Sequence, residues 1–165
     1  MRKYFVVVIV AVLATFVHAQ PSIQEGTREL SLSGGWDPEG AAGATMALDV
    51  GYGVFVRDLI EVGSLVSYES DDDATTWGLG GFAEYHFDMA TMTVPYVGFR
   101  LAYIDYDVDT TFGYGLTAGV KHFIADNVAI DIALQYMVAG EDIFNNDGTV
   151  EDNDLAFVFG LRVMF

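Results

Sequence analysis

The last twelve residues of the chain, DLAFVFGLRVMF from Asp154 to Phe165, alternate strictly between two sets of side chains. Large apolar residues occupy every second position from Leu155 to Phe165, and the positions between them hold smaller side chains, a methionine and one arginine, Arg162. A period of two places each set on one face of a β-strand. The pattern therefore predicts a strand that continues to the final residue, with one apolar face and one face that carries a charge.

The same alternation recurs along the chain and predicts eight strands. We expect them at about Thr27 to Trp36, Ala44 to Val56, Leu59 to Glu69, Thr75 to Phe87, Val94 to Tyr106, Phe112 to Ile124, Val128 to Val138 and Asp154 to Phe165. Short connections at Arg57-Asp58, Asp88 to Met92 and Ala125 to Asn127 alternate with acidic ones at Asp37 to Gly43, Ser70 to Ala74, Val108 to Thr111 and Ala139 to Asn153. This rhythm predicts an all-β protein built from antiparallel hairpins.

Length and composition restrict the class of protein. The chain has 165 residues, which suggests one domain, and a net charge of −17, which makes nucleic acid an unsuitable partner. Its 52% hydrophobic content is too high for a disordered chain, and the absence of cysteine excludes disulfides and thiolate metal sites. Any function must therefore depend on side chains other than cysteine and on surfaces that do not bind nucleic acid.

The N-terminus has the three parts of a secretory signal. Arg2 and Lys3 precede an apolar stretch from Tyr4 to Phe16, and Val17-His18-Ala19 forms a small-residue cleavage site. The apolar stretch is short for a membrane anchor, which needs about 20 residues. We expect residues 1–19 to be a signal peptide and residues 20–165 to be the mature domain.

Alternating strands fit two kinds of barrel, which differ in the solvent that each face contacts. A soluble barrel encloses its apolar set, whereas a membrane barrel turns that set toward lipid. Here the polar faces are mostly Gly, Ala, Ser and Thr, which suit a narrow interior. Aromatic residues near strand ends suit the membrane–water boundary; they are Trp36, Tyr68, Trp77, Tyr106, Phe112, Phe123 and Phe165. The sequence predicts an eight-stranded antiparallel up-and-down transmembrane β-barrel, closed because unpaired backbone groups are not tolerated in hydrocarbon.

Three segments carry a family resemblance: VPYVGFRLAYIDYD, GYGLTAGVKHFIADNVAIDIALQY and the terminal FGLRVMF. With the signal sequence, they resemble the small outer-membrane barrels of the OmpX and opacity-protein kind, over about Thr27 to Phe165. The resemblance implies a Gram-negative outer membrane, contact with its lipids, and recognition by the barrel assembly machinery. The implied assembly signal is Phe165 with Phe159, Leu161 and Val163 behind it. Members of the family include adhesins and stress-induced barrels, so the resemblance fixes no single activity.

Strand parity also places charged residues inside the predicted barrel. They are Asp49, Glu61, Glu84, Arg100, Lys121, Asp131 and Arg162. If the turn after the sixth strand centres on Asp126, Lys121 faces Asp131. If the long loop centres near Asn146 or Asp147, Arg162 falls beside Asp131 from the other side. Arg100 lies one diagonal step from Glu84. We expect an interior network in which Asp131 is held between Lys121 and Arg162, since buried charges persist only when paired.

Candidate chemistry outside this network is sparse. By parity His86 points inward and His122 toward lipid, and neither has an evident arrangement of Ser and Asp or Glu at the outer rim that would support catalysis. The segment NNDGTVEDND, Asn145 to Asp154, lacks the acid that an EF-hand needs at Ile143, and Asn146-Asp147-Gly148 is typical of a turn. We expect a monomeric, non-catalytic barrel without a cofactor, whose acidic loops have a structural or surface role and contact divalent cations or host and envelope surfaces. A small porin is the alternative, and a lipid-modifying enzyme is a weaker one.

Overall fold

The computed structural model describes residues 23–40, 43–70, 75–89, 91–106, 109–141, 144–146 and 149–165. Eight strands form a closed barrel in the order β1-β10-β7-β6-β5-β4-β3-β2, and every neighbouring pair is antiparallel. The barrel strands are β1 Arg28–Gly40, β2 Gly43–Arg57, β3 Ile60–Ser70, β4 Thr75–His86, β5 Thr93–Tyr106, β6 Asp109–Ala125, β7 Val128–Ala139 and β10 Asn153–Met164. The predicted strand number and closed antiparallel topology are confirmed.

The apolar set of each strand faces away from the barrel axis. Phe112, Phe157 and Leu79 have 73%, 74% and 63% of their surface exposed. The alternate set faces inward, and it includes both small residues such as Ala133 and buried charges such as Lys121. An outward apolar band around a polar interior is the arrangement of a membrane barrel rather than a soluble one. No helix long and apolar enough to cross a membrane occurs in the part of the chain that the structure describes.

The barrel closes where its first strand meets its last. Six residue pairs join β1 to β10, from Glu29–Met164 to Gly34–Phe159, and the backbones of Arg28 and Phe165 exchange hydrogen bonds of 3.0 and 2.9 Å. Each of the other seven ladders of the barrel has between eleven and fourteen pairs. The predicted strand at the C-terminus thus serves to close the sheet, through the shortest of the eight ladders.

The two ends of the barrel differ. At the turn end lie both ends of the described chain and the connections at Asp58-Leu59, 87–92 and Asp126-Asn127. At the loop end lie the connections at 41–42, 71–74, 107–108 and 140–152. The connections at 41–42, 71–74 and 107–108 and parts of the one at 140–152, like the predicted signal peptide, lie outside the described residues. Because strands extend into the predicted loops, the connection at 140–152 is the one loop-end connection that is longer than every connection of the turn end.

The loop end contains more strand than the sequence indicates. β1 continues to Gly40 through the segment that we expected to be a loop, with a shift of register between Asp37 and Gly40 at Pro38. Proline cannot donate a hydrogen bond to the ladder, so within a sheet it is confined to edges, strand starts and irregularities of this kind. β6 begins already at Asp109. Within the long acidic connection, β8 Phe144–Asn146 pairs with β9 Thr149–Glu151 as a separate hairpin, which the sequence analysis did not predict.

Aromatic pairs mark both ends of the outer surface. Tyr68 contacts Trp77 at the loop end with ring centroids 4.6 Å apart, and Tyr85 contacts Phe87 at the turn end at 5.1 Å. Aromatic side chains at two levels suit the two membrane–water boundaries. The side chains of Trp36 and Tyr106, expected in the same role, are not among those described.

One of the expected boundary aromatics has a different location. Phe123 has 0% of its surface exposed and points into the barrel, because it lies an even number of residues from the inward Lys121. There it packs at the turn end in an apolar cluster that also contains Phe55, Val94, Ala129 and Met164, with Ile23 against it. This cluster, here called the apolar plug, fills the interior at the turn end.

Candidate functional site

The charged side chains of the interior gather above the apolar plug. Lys121 from β6 and Arg162 from β10 are surrounded by Glu29, Glu61, Glu84 and Asp131, which come from β1, β3, β4 and β7. Each of these six residues has 4% or less of its surface exposed. These six residues are called the charge cluster below. Strand alternation places all of them on the inner face, although they come from six different strands.

Arg162 is the most widely connected member. Its Nε and Nη2 atoms lie 2.8 and 2.6 Å from Asp131 Oδ2, and Nη1 donates to Glu29 Oε1 at 2.7 Å. Nη2 also lies 3.4 Å from Glu84 Oε1. A planar guanidinium offers five donors in a fixed arrangement, which suits contact with several carboxylates at once. Arg162 therefore ties β10 to β1, β4 and β7 through the interior.

Lys121 binds a different set of carboxylates. Its Nζ lies 2.9 Å from Glu29 Oε2, 3.1 Å from Glu61 Oε2 and 3.1 Å from Glu84 Oε2. Asp131 stands directly opposite Lys121 in the β6–β7 ladder, as the sequence indicates. The ammonium nevertheless reaches across the interior to the glutamates. The expected arrangement of Asp131 between Lys121 and Arg162 is thus wrong on the Lys121 side, since Asp131 bonds to Arg162 and Tyr96 instead.

Tyr96 lies at the centre of the cluster and was not among the predicted residues. Its hydroxyl lies 3.0 and 3.1 Å from the two oxygens of Asp131, to which it donates, and it accepts from Arg162 Nη2 at 3.2 Å. Lys121 Nζ and Arg162 Cζ lie 5.2 and 5.6 Å from the centre of its ring. Both distances are within the range of a cation–π contact. Parity alone would have identified Tyr96, because it lies four residues before the inward Arg100.

Glu29 is the second residue that the sequence analysis missed. It is 1% exposed and accepts hydrogen bonds from both Lys121 and Arg162. Its position directly before the outward Leu30 places it on the inner face of β1. The alternation of side chains along β1 therefore predicts the inward position of Glu29.

Glycines on the inner face make room for these large side chains. A Cβ atom added at Gly53 would overlap Glu61 Oε1, and one added at Gly119 would lie 2.8 Å from the ring of Tyr96 and from Ala133 Cβ. Real side chains do not approach so closely. The small inward residues thus leave the space that the few large inward side chains occupy, as expected in the narrow interior of an eight-stranded barrel.

His86 borders the charge cluster on the side of the apolar plug. It is fully buried, its ring stacks on Tyr96 with centroids 5.6 Å apart, and its Nδ1 lies 3.3 Å from the carbonyl oxygen of Leu59. Its Nε2 faces Glu84 Oε2 at 3.6 Å and Glu61 Oε2 at 3.8 Å. The inward position of His86 agrees with its parity. His122 lies on the outer side, where its Nδ1 is 2.9 Å from Thr93 Oγ1.

The remaining predicted charges, Asp49 and Arg100, form a separate pair nearer the loop end. Arg100 Nη1 lies 3.7 Å from Asp49 Oδ2, and their side chains are 12% and 27% exposed. Arg100 was expected to approach Glu84, one diagonal step away, but its ion pair crosses the interior to β2. The interior thus contains a buried charge cluster and, nearer the loop end, a more exposed ion pair.

The residues of the proposed assembly signal lie on the outer face of β10. Phe159, Leu161 and Phe165 are 57%, 40% and 64% exposed, and Val163 is partly buried. The ring of Phe165 lies 6.4 Å from that of Tyr52, between centroids. This face points toward lipid and away from the charge cluster, so the two sets of predicted residues are structurally separate.

Solved structures with a similar fold include three barrels of bacterial proteins. Neisserial surface protein A is 18% identical with a TM-score of 0.59, covering 84% of this chain and 95% of that one. The N-terminal β-barrel domain of OprF from Pseudomonas aeruginosa is 18% identical with a TM-score of 0.60, covering 86% and 98%. Ail from Yersinia pestis is 13% identical with a TM-score of 0.54, covering 86% and 100%. At these identities the likeness concerns the fold.

The sequence itself gives the family. No curated protein matches the chain. The sequence pattern of the outer membrane protein beta-barrel domain matches residues 8–165, which is nearly the whole chain. Together with the closed barrel and its outward apolar band, this match establishes that the chain belongs to the outer membrane protein beta-barrel domain family and is a protein of the outer membrane.

Proposed function

We propose that the protein is a non-catalytic barrel that anchors an acidic surface in the outer membrane. The observation that carries this proposal is the filled interior. Lys121, Phe55 and Phe123 are fully buried, and the charge cluster and the apolar plug lie one above the other across the barrel. An eight-stranded barrel has room for little more than its own side chains. A filled interior favours a role for the exposed ends over passage of solutes.

The charge distribution indicates which end has this role. Fifteen of the 24 acidic residues lie in the connections of the loop end or in the last few strand residues beside them, whereas no lysine or arginine does. The fifteen are Asp37, Glu39, Glu69, Asp71, Asp72, Asp73, Asp105, Asp107, Asp109, Glu141, Asp142, Asp147, Glu151, Asp152 and Asp154. Such a surface attracts divalent cations and basic surfaces through its summed field.

The orientation follows from the family architecture. Short turns of outer-membrane barrels face the periplasm, and longer loops face outward. We therefore assign the acidic loop end to the cell exterior, where it would contact host or envelope surfaces. The assembly machinery is the partner that we propose for the terminal strand.

Two measurements test the proposal. Refolded protein in a planar bilayer should give no stable, reproducible openings, because the interior is filled. Cells that carry a variant with Asp71, Asp72 and Asp73 replaced by Asn should show altered adhesion or envelope integrity at unchanged protein levels. As a matched control, Asp58, Asp88 and Asp126 are replaced by Asn, which removes three charges from the turn end.

The outcomes separate the two candidate functions. Reproducible conductance in the unaltered protein would favour the small-porin alternative, for which the partly exposed Arg100–Asp49 pair would line the wider part of the path. Equal effects of the two triple variants would show that total charge matters and the loop end does not.

A further inference from the structure

The charge cluster has an excess of negative charge. Its four carboxylates, on Glu29, Glu61, Glu84 and Asp131, face only the ammonium of Lys121 and the guanidinium of Arg162. Two negative charges remain uncompensated when all six groups are ionised. Uncompensated charge is costly in a buried site, so additional positive charge is needed to stabilise the cluster.

Three side chains that meet beside the cluster each carry one atom without a hydrogen-bond partner. These atoms are Glu61 Oε1, Glu84 Oε2 and His86 Nε2, and the side chains are at least 98% buried. The oxygen of Glu61 that faces His86 is Oε2, whereas Oε1 lies beside Gly53. Glu84 Oε2 lies 3.1 Å from Lys121 Nζ but does not meet it in hydrogen-bond geometry. One ligand atom from each of Glu61, Glu84 and His86 can be chosen so that all three lie within 4.8 Å of one another. Unsatisfied buried polar atoms are few in native proteins, and each requires an explanation.

The contacts of His86 indicate what is needed between these atoms. Its Nδ1 faces the carbonyl oxygen of Leu59, to which a ring N–H at that position can donate. A neutral ring with its proton on Nδ1 turns the lone pair of Nε2 toward two carboxylates, which is repulsive unless a cation or a carboxyl proton lies between them. Histidines that bind metals commonly donate their other ring N–H to a backbone carbonyl in this way.

We propose that Glu61, Glu84 and His86 form a binding site for one divalent transition-metal ion of the zinc class. One imidazole nitrogen and two carboxylate oxygens are suitable ligands for Zn²⁺. Tetrahedral bonds of about 2.1 Å separate ligand atoms by roughly 3.4 Å, and Nε2 lies 3.6 and 3.8 Å from the nearest oxygens of Glu84 and Glu61. The two charges of the ion equal the excess of the cluster.

Lys121 must share its carboxylates with the ion. Its Nζ lies 2.9 and 3.0 Å from the two oxygens of Glu29, on the side of the cluster where Arg162 also binds Glu29. We expect Lys121 to keep Glu29 and to release Glu61 and Glu84 toward His86 when the metal binds. The ion would then link β3 and β4 inside the barrel and stabilise the folded state by mass action.

The rival explanation is protonation. Two protons, for example one on a glutamate and one on His86, would also remove the excess charge, and an imidazolium could donate to both carboxylates. With both protons on glutamates, a carboxyl O–H would instead donate to a neutral His86. In either form this alternative predicts no response to zinc. The experiment must therefore observe His86 itself.

The first measurement is metal content. The purified protein is refolded in detergent with excess Zn²⁺, passed over a chelating resin and analysed by mass spectrometry for zinc. We expect about one tightly held ion per chain, lost in His86→Gln and retained in His122→Gln. His122 is the matched control because it is the other histidine among the described residues and faces outward. Retention of zinc by folded His86→Gln, or no retained zinc in the unaltered protein, would overturn the proposal.

The second measurement needs no variant and therefore stands if His86→Gln fails to fold. The ring nitrogens of both histidines are followed by ¹⁵N NMR during a zinc titration of the unaltered protein. The proposal requires the Nε2 resonance of His86 to shift and those of His122 to remain in place. An unshifted His86 in a folded barrel, with or without two ring protons, refutes the site.

Discussion

Arg162 Nη2 lies 2.6 Å from Asp131 Oδ2, although the two residues do not face each other in the β7–β10 ladder, where Asp131 stands opposite Gly160. The guanidinium therefore reaches back by two positions along β10 to meet the carboxylate. This contact, made between neighbouring strands, is one of three that connect Arg162 to carboxylates. The contacts of each member of the charge cluster indicate how strongly its replacement should lower the free energy of unfolding.

Replacing Arg162 by Met should destabilise the barrel by about 3–5 kcal/mol, because it leaves Asp131 buried without its cationic partner and Glu29 with Lys121 alone. Asp131→Asn should cost less, since it removes one of the excess negative charges and keeps an acceptor for Tyr96. The free energies of unfolding are measured by urea titration of the refolded proteins. A greater loss in Asp131→Asn than in Arg162→Met would contradict the charge balance that we derive.

Gly119→Ala should lower the free energy of unfolding by about 1–3 kcal/mol through overpacking. The new Cβ would lie 2.8 Å from the ring of Tyr96, which is held in place by Asp131 and Arg162. Gly81→Ala is the control, since its nearest neighbour is a backbone oxygen at 3.3 Å. Equal stabilities of the two variants would mean that the interior is looser around Tyr96 than the structure indicates.

Phe165→Ser should reduce the amount of protein in the outer membrane while changing the stability of the refolded barrel in detergent little. Phe165 is 64% exposed, and its backbone hydrogen bonds to Arg28 do not depend on the side chain. Phe157→Ser, on the same face of β10 and 74% exposed, removes a similar area and is the control. Immunoblots of membrane fractions compare them. Equal membrane levels of the two variants would leave no special role for the terminal residue.

A glutamate-specific protease added to intact cells should cut after Glu141 or Glu151, which lie in the longest connection of the loop end. Glu25, at the turn end, should become accessible only after the outer membrane is permeabilised. Mass spectrometry of the released fragments identifies the sites. Cleavage after Glu25 alone in intact cells would invert the proposed orientation.

The sequence predicts the strands and faces well because both depend on local alternation. The ladder that sets Lys121 opposite Asp131 is an example, since a short turn fixes the register of a hairpin. The side-chain partners across the interior are different. The bond from Lys121 to Glu29 joins residues 92 positions apart on strands that are not neighbours in the sheet. It depends on the diameter and stagger of the closed barrel, which alternation does not specify.

Phe123 shows how residue type and strand parity can conflict. Its aromatic ring and its position near a strand end suit the membrane boundary, whereas its parity with Lys121 places it inside, where the structure has it. Glu29 and Tyr96, the two residues of the site that are absent from the predicted set, also lie near strand ends, on the inner face. Near the ends of strands, the face of a residue is a better guide than its type.

The short ladder between β1 and β10 has a mechanical consequence. A barrel is free of edges only while its seam holds, and here six pairs form the seam whereas at least eleven join every other pair of neighbours. Both ends of the described chain leave the barrel beside that seam, so a pull applied to them acts first on the weakest line of hydrogen bonds. Rupture should begin there and open the cylinder into a curved sheet, which would peel apart one hairpin at a time.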